Sequence, residues 1–343
     1  METRTLGRTG VKVSPLCLGA MMFGEFGNRD YNECVDIIHA ALDAGINFID
    51  TADVYSYGES EEIVGRALSG GKREHVVLAS KFHMPMGTDP NMRGNSRRWI
   101  RRAVEDSLRR LQTDWIDLYQ VHRPSPDCDI DETLGVLSDL VREGKVHMIG
   151  TSTFPAWQIV EAQWVAERRQ RERFVAEQPP YSIFARHIEA DVLPVCEQYG
   201  LGVLVWSPLA SGWLAGKYRR GQPIPESWRT NLSPERFDQN LPANQRKLDV
   251  VEALEKLAAD GGMTLIELAL RFVLAHRAVT SAIIGPRTMS QLTSQMSAPE
   301  RELPADILDA IDELVRPGEL INPVDGGYVA PALKNPALRR RNT

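Results

Sequence analysis

The sequence predicts an α/β fold, a closed (β/α)8 TIM barrel with an N-terminal β-hairpin and extra helices. Three observations carry this reading. Eight short apolar runs alternate with amphipathic helical patterns along the chain. Each run is apolar almost throughout, as parallel strands covered on both faces should be. The connections are mostly short, and no linker interrupts them. Alternation alone also permits an open doubly wound sheet. The count of eight and the missing break favour the barrel, a single domain over residues 1–343.

The elements follow in order. Residues 3–6 and 11–13 are strand-like runs around Gly7-Arg8-Thr9-Gly10, a hairpin expected to pack on one end of the domain. Residues 16–19 form the first barrel strand. Residues 31–44 read as a helix with Cys34, Ile38 and Ala41 on one face and Gly45 as its stop. The second strand spans 47–50, and a helix over 59–68 ends at Gly70-Gly71. The third strand spans 76–79. Ser96 caps a helix that turns Ile100, Val104, Leu108 and Leu111 inward. The fourth strand covers 115–121, and Leu134, Leu137 and Val141 mark the helix that Gly144 closes. The fifth strand covers 146–150, with Pro155 suited to the first turn of the next helix. The sixth strand covers 174–177, and a helix over 188–199 has Pro194 as its weak point.

The seventh strand covers 202–206. A long polar segment rich in Pro and Trp then runs from Pro208 to about Asn244. A helix over 247–259 follows, and Thr264-Leu265-Ile266-Glu267 is a capping box that opens another. Residues 281–284 give the eighth strand and 289–296 its helix, and a last helix begins at Pro304. The basic tail Leu338-Arg339-Arg340-Arg341 reads as solvated and disordered.

Bulk composition narrows the function classes. The 343 residues are 43% hydrophobic and 25% charged, ordinary for a soluble globular protein. Net charge is −6, with no basic block, so neither nucleic acid nor an anionic membrane is expected as a partner. No run of about 18 apolar residues predicts a membrane span. Met1-Glu2-Thr3-Arg4 leads into structure without an apolar leader core. Cys17, Cys34, Cys128 and Cys196 are scattered, which suits structural thiols and neither a disulfide framework nor a metal site. A cytoplasmic protein is the expectation.

In a barrel, catalytic groups come from the C-terminal strand ends and the loops after them. The second strand ends in Asp50-Thr51-Ala52-Asp53-Val54-Tyr55, the third in Ser80-Lys81-Phe82 and the fourth in His122-Arg123-Pro124. A carboxylate, a phenol, an ammonium and an imidazole thus converge from three successive strands. That set suits acid catalysis by the phenol. Free tyrosine titrates near ~10, too weak an acid to protonate an alkoxide efficiently at neutral pH. An ammonium beside a phenol favours loss of its proton, and a carboxylate behind the ammonium keeps it charged. Imidazole can orient a carbonyl oxygen. Singly, each group has a plainer reading: a strand-end cap, a surface aromatic, a solvated charge, a structural histidine. A lysine at a buried strand end needs a partner, however, and Asp50 is the one at hand. His39, His75, His147, His187 and His276 lack such company and read as structural or surface groups.

At this point the chain resembles the aldo-keto reductase family. The matching pieces are Gly45-Ile46-Asn47-Phe48-Ile49-Asp50-Thr51-Ala52 with Tyr55, then Ser80-Lys81, then Leu118-Tyr119-Gln120-Val121-His122. Gly150-Thr151-Ser152-Thr153-Phe154, Glu177-Gln178-Pro179-Pro180-Tyr181 and Trp206-Ser207-Pro208-Leu209-Ala210-Ser211-Gly212 with Lys217 follow in order. The resemblance runs from Thr5 to about Met296. It implies a barrel that binds NADPH in extended form and reversibly reduces aldehydes or ketones. It carries the catalytic roles to Asp50, Tyr55, Lys81 and His122. It places Gly19, Ala20, Met21 and Asp50 among the cofactor contacts, Ser152, Thr153 and Gln178 at the nicotinamide carboxamide, and Trp206 on the nicotinamide ring. Ser207, Pro208, Leu209, Ser211, Gly212 and Lys217 fall to the pyrophosphate loop. Gly285, Arg287, Gln291 and Gln295 fall to the adenosine end. Arg287 precedes a helix start, where a guanidinium and free N–H groups suit a 2′-phosphate, favouring NADPH over NADH.

Three positions depart from the family pattern. Thr153 stands where asparagine is common, Trp206 where tyrosine is, and Gln295 where asparagine is usual. The substrate walls are expected from Met22, Tyr55, Phe82, His83 and His122, while Trp213 and Trp228 suit either packing or a lid. No metal is expected. Two other functions fit parts of the pattern. Some barrels of this family serve as cofactor-sensing subunits of a membrane channel and keep the tetrad, and a lyase or aldolase would use Lys81 as a Schiff base.

Overall fold

Arg4–Thr5 (β1) and Lys12–Val13 (β2) pair antiparallel, and the hairpin they form closes the lower end of a barrel. The structure is a computed structural model that describes residues 1–341. The barrel strands are β3 (Leu16–Gly19), β4 (Phe48–Asp50), β5 (Val77–Phe82), β6 (Ile116–Val121), β7 (Val146–Ser152), β8 (Ala176–Gln178), β9 (Gly202–Val205) and β10 (Val279–Ile284). All neighbours are parallel, and β10 closes the ring by pairing with both β3 and β9.

One helix follows each of β3 to β8: α1 (Tyr31–Asp43), α2 (Glu59–Ala67), α3 (Arg97–Leu111), α4 (Ile130–Arg142), α5 (Ala156–Arg169) and α6 (Val192–Tyr199). Between β9 and β10 lie α7 (Trp228–Leu232), α8 (Pro242–Asp260) and α9 (Leu265–Ala275). After β10 come α10 (Met289–Met296), α11 (Ala305–Leu314) and α12 (Pro331–Lys334). The side chains of Asp30, Ser96, Asp129 and Thr264 accept first-turn N–H groups, and Thr264 with Glu267 forms the expected capping box.

Side chains alternate along each strand, and this alternation sorts the barrel. Cys17, Phe48, Ala79, Leu118, Ala176 and Leu204 point inward, where they form an apolar plug with Leu6 and Val13 of the hairpin. Leu18, Ile49, Leu78, Tyr119, Val121 and Val203 point outward into the main core shared with the helices. The next inward position above the plug is polar on β4, β5, β6 and β8: Asp50, Lys81, Gln120 and Gln178. All four are buried.

Several expectations shift. β5 runs on to Phe82 and β7 to Ser152, so residues read as loop are sheet. Pro155 is the cap before α5, with extended backbone, and lies outside the first turn. Helix α6 starts only at Val192, because Asp191 leaves helical geometry and residues 187–190 form a separate 3-10 turn. Pro194 therefore falls in the first turn, where it forfeits no hydrogen bond. The long segment after β9 carries 3-10 turns and α7, and α8 begins early, at Pro242. The basic tail is exposed, and a 3-10 turn over Pro336–Leu338 leads into it.

Gly7 fixes the hairpin against the barrel floor. Its φ is +55°, and a Cβ there would lie 2.7 Å from Gly200 O, 2.8 Å from Gly202 N and 2.9 Å from Val175 O. All three are backbone atoms and cannot yield cheaply. Gly7→Ala is expected to lower stability by about 2–4 kcal/mol in urea unfolding, from backbone strain plus overpacking.

Candidate active site

The site is built upward from the polar layer. Lys81 is wholly buried, and its Nζ donates to Asp50 Oδ2 at 2.6 Å, to the Thr51 carbonyl at 2.8 Å and to Tyr55 Oη at 3.2 Å. Three donors thus meet three acceptors. Burial pushes the ammonium down, but Asp50 and Tyr55 beside it outweigh that, and the net shift is upward. The second Asp50 oxygen accepts from Gln178 Nε2 at 2.8 Å and Gln120 Nε2 at 3.2 Å. Both carboxylate oxygens are therefore occupied from neighbouring strands.

Tyr55 follows on the loop after β4 and is half-buried, so its hydroxyl links the layer to the opening above. The His122 ring stands edge-on to it, with centroids 5.8 Å apart. Burial pushes His122 well below the ordinary histidine value, and the cations Arg123 and Lys81 add to this. Its imidazole is neutral at neutral pH, the form that can donate a hydrogen bond to an oxygen while accepting at the other nitrogen. Asp50, Tyr55, Lys81 and His122 are thus brought together as expected.

Residues expected to hold a cofactor also gather at the mouth. Ser152 Oγ donates to the Gln178 carbonyl at 2.9 Å, and Trp206 Nε1 donates to Thr153 Oγ1 at 3.3 Å. Gly327, from the C-terminal segment, lies hard against the indole: a Cβ there would sit 2.7 Å from Trp206 Cζ2. Non-glycine residues in left-handed backbone cluster here. Gln112 and Gln170 end helices, but Ser56, Tyr57, His83, Thr153, Ser207, Ala210 and Ser211 all lie in loops at the upper strand ends. Such strain concentrates at functional sites.

Farther out, Lys217 and Arg287 converge with Arg229 of α7. Burial pushes Lys217 and Arg229 down, and the neighbouring cations push the same way. Among the described residues none of the three forms an ion pair with a carboxylate. A Cβ on the exposed Gly285 would meet nothing within 4 Å, so the backbone there is open to close approach. Ser207 and Ser211 place their hydroxyl oxygens 3.3 Å apart, with Pro208 buried and Leu209 half-buried between them. A Cβ on Gly212 would meet Lys217 Cδ at 3.4 Å, an ordinary contact.

Other expected residues have local tasks. Gly19 must be glycine for packing, since a Cβ would meet Ile283 Cγ2 at 2.6 Å. Ala20 is buried, its N–H donating to the Asp50 carbonyl, and Met21 is half-buried above it. Gln291 Oε1 accepts from the Arg287 N–H at 2.8 Å, and Gln295 is buried with its Nε2 on the Gln291 carbonyl. These two hold the Arg287 loop.

One substrate-wall expectation is corrected. Phe82 alternates with Lys81, so it points outward and is wholly buried against Tyr119. Met22 is buried where the chain folds back over it, with Gly27 against it. His83 is half-buried and bonded through Nδ1 to Asn95 Oδ1 at 2.8 Å. Trp213 is a core residue, whereas Trp228 stacks on Phe26 with centroids 4.1 Å apart, joining the loops after β9 and β3. Residues not singled out by the sequence reading are Gln120, Arg229 and Arg123. Arg123 Nη1 reaches the His122 carbonyl and the hydroxyls of Ser152 and Thr153 at 2.6, 3.4 and 3.2 Å.

A model of the Aldo/keto reductase family matches residues 15–316. The chain belongs to the aldo/keto reductase family. Among similar proteins is an "Uncharacterized oxidoreductase YrpG" of Bacillus subtilis, 40% identical over 92% of this chain and 96% of that one. A "Probable voltage-gated potassium channel subunit beta" of Oryza sativa is 36% identical over 92% and 97%. "Aldo-keto reductase YhdN" of Bacillus subtilis is 37% identical over 85% and 87%. No helix among the described residues is long and apolar enough to cross a membrane.

Glu177 supports the mouth from the outer face of β8. It accepts from Thr151 Oγ1 at 2.5 Å and from the Phe154 N–H at 3.1 Å. Burial pushes its carboxyl up from 4.5 to about 7, against those hydrogen bonds. A raised carboxyl favours the folded state when protonated. That stabilisation is complete below the unfolded value and is lost as pH rises through about 7. Glu177→Gln, which keeps the shape without the charge, should gain on the parent chain by on the order of 3 kcal/mol between pH 4.5 and 8. Urea unfolding at several pH values checks this; parallel pH profiles for the two proteins would refute it.

Proposed function

We propose that this chain is an NADPH-dependent aldo-keto reductase, interconverting an aldehyde or ketone with its alcohol. The observation that carries the reading is Lys81 Nζ bonded at once to Asp50 and to Tyr55 Oη. Bound NADPH supplies the hydride for the carbonyl carbon. Tyr55 gives its proton to the carbonyl oxygen from the edge of the buried layer. Lys81, kept charged by Asp50, stabilises the phenolate left behind. Gln120 and Gln178 hold Asp50 so that its charge faces Lys81. Neutral His122 orients the carbonyl oxygen beside Tyr55, and the plug below the layer keeps water from the ammonium.

The residues at the mouth suit the cofactor. Three cations without carboxylate partners, Lys217, Arg229 and Arg287, match a pyrophosphate and a 2′-phosphate. Open backbone at Gly285 and the flat indole of Trp206 suit an adenosine and a nicotinamide ring. The Schiff-base alternative fits poorly, because Lys81 Nζ already spends three hydrogen bonds and its charge is favoured by Asp50.

A second reading is favoured by the rice relative named as a channel subunit: a cofactor-sensing subunit of this fold with little turnover. Single-turnover measurements of NADPH oxidation over a panel of aldehydes and ketones, with solution size measured alongside, separate the two. Rapid turnover by the free protein removes the sensor.

Tyr55→Phe should lower carbonyl reduction by about 10²–10⁴-fold, with NADPH still quenching tryptophan fluorescence. Full activity in that variant would overturn the mechanism. Arg229→Met and Arg287→Met should each weaken NADPH binding roughly 10–100-fold, the loss of one charge-assisted contact. If Arg287 holds the 2′-phosphate, its variant should lose its preference over NADH; an unchanged NADPH-to-NADH ratio would refute that role.

A further inference from the structure

A second cleft lies outside the barrel, behind the catalytic loop. It has a volume of about 190 Å³ and lies between the 83–95 loop and α3. Asp53 forms its floor, and Met86, Met92, Trp99 and Ala103 form its apolar walls, with Asp106 and Arg110 toward the helix end. Met86, Met92, Asp106 and Arg110 are half-buried, so the cleft opens to solvent on that side.

Asp53 is the unusual feature. It is 1% exposed, and neither carboxylate oxygen has a well-formed hydrogen bond among the described residues, although the backbone N–H of Val54 acts on the carboxyl. Its backbone N–H donates to the Lys81 carbonyl at 3.1 Å, but its side chain lies on the helix side, away from the Tyr55 hydroxyl. The nearby guanidinium does not satisfy it. Arg110 is committed to the wholly buried Glu61, at 2.8 Å from Nε and 2.7 Å from Nη2. Glu61 in turn accepts from Ser80 Oγ at 2.5 Å. The groups around Asp53 are therefore Glu61 from α2, Lys81 from β5, Tyr119 from β6, and Arg110 and Asp106 from α3. Three carboxylates stand there against two cations, Arg110 and Lys81, which are already paired with Glu61 and Asp50.

A buried carboxylate with idle oxygens calls for a donor. Thioethers and an indole are soft, polarisable walls that suit an alkyl chain carrying a positive end. We propose that this cleft binds a small organic cation of the alkylammonium class, its N–H groups on Asp53 and its alkyl part against Met86, Met92 and Trp99. Without a ligand, burial and Glu61 push the Asp53 carboxyl well up, which favours its protonated form. The incoming cation displaces that proton to solvent and replaces it as Asp53's partner. Affinity must therefore rise with pH.

The test uses the full chain and three probes of similar size: n-butylammonium, n-butanol and butyrate. Binding is followed by NMR on the Trp99 indole N–H. At pH 8, n-butylammonium should bind at least tenfold more tightly than n-butanol, with butyrate weakest, and should weaken as pH falls. Asp53→Asn should reduce n-butylammonium to the level of n-butanol. Met92→Trp fills the cleft from the loop without touching the carboxylate and should abolish binding of both; it decides the matter if Asp53→Asn does not fold. Equal affinity for n-butylammonium and n-butanol, no pH dependence, or n-butylammonium binding that persists in Met92→Trp overturns the proposal.

Discussion

Lys81 is wholly buried away from bulk solvent, and much of the barrel's upper half is arranged around that fact. An ammonium buried alone would lose its proton or unfold its surroundings. Here Asp50 lies 2.6 Å away, and a carbonyl and a phenol take the other two N–H groups. Asp50 is a buried charge in its own right and takes two amide donors from β6 and β8. The pair therefore cannot be changed at one residue alone. Removing Asp50 leaves an uncompensated cation, and removing Lys81 leaves a carboxylate with amides on one side only.

The parallel register makes this layer possible. Asp50, Lys81, Gln120 and Gln178 each stand two residues above an apolar residue of the plug, so one alternation sets both levels. Shifting any strand by one residue would bury its plug residue in the helix layer and expel its polar one. The hairpin bears on the same geometry from below, because Leu6 and Val13 complete the plug that keeps water from reaching Lys81 along the barrel axis.

Most of this was legible in the chain. Strand and helix order, the caps at Ser96 and Thr264 and the convergence of Asp50, Tyr55, Lys81 and His122 all follow from apolar runs and the residues ending them. Facing was harder. Phe82 looked like a pocket wall because it ends a strand, but β5 continues through it and alternation turns it outward. Arg229 carried no signal, since a lone arginine in a polar segment reads as solvated, and Arg123 stood at a strand end with no role attached to it. Arg229 gains meaning only when the chain between β9 and β10 brings it beside Lys217 and Arg287, an encounter across nearly sixty residues for the last of these.

The same alternation explains how one short loop serves two faces. Between Asp50 and Tyr55 the chain passes from barrel interior to mouth, and Asp53 falls on the far side, among the helices. Its N–H holds the Lys81 carbonyl while its carboxylate lines the outer cleft. A single peptide segment thus carries the proton donor on one side and an unpartnered acid on the other, only two residues apart. Whatever stabilises the acid acts on the backbone that positions Lys81. The outer polar cluster of Glu61, Ser80 and Arg110 is in that sense a second layer of the same device: Ser80 precedes Lys81 on β5 and anchors the strand to α2 from outside. The inner ion pair and the outer cluster thus share β5, bonded to consecutive residues on its two faces.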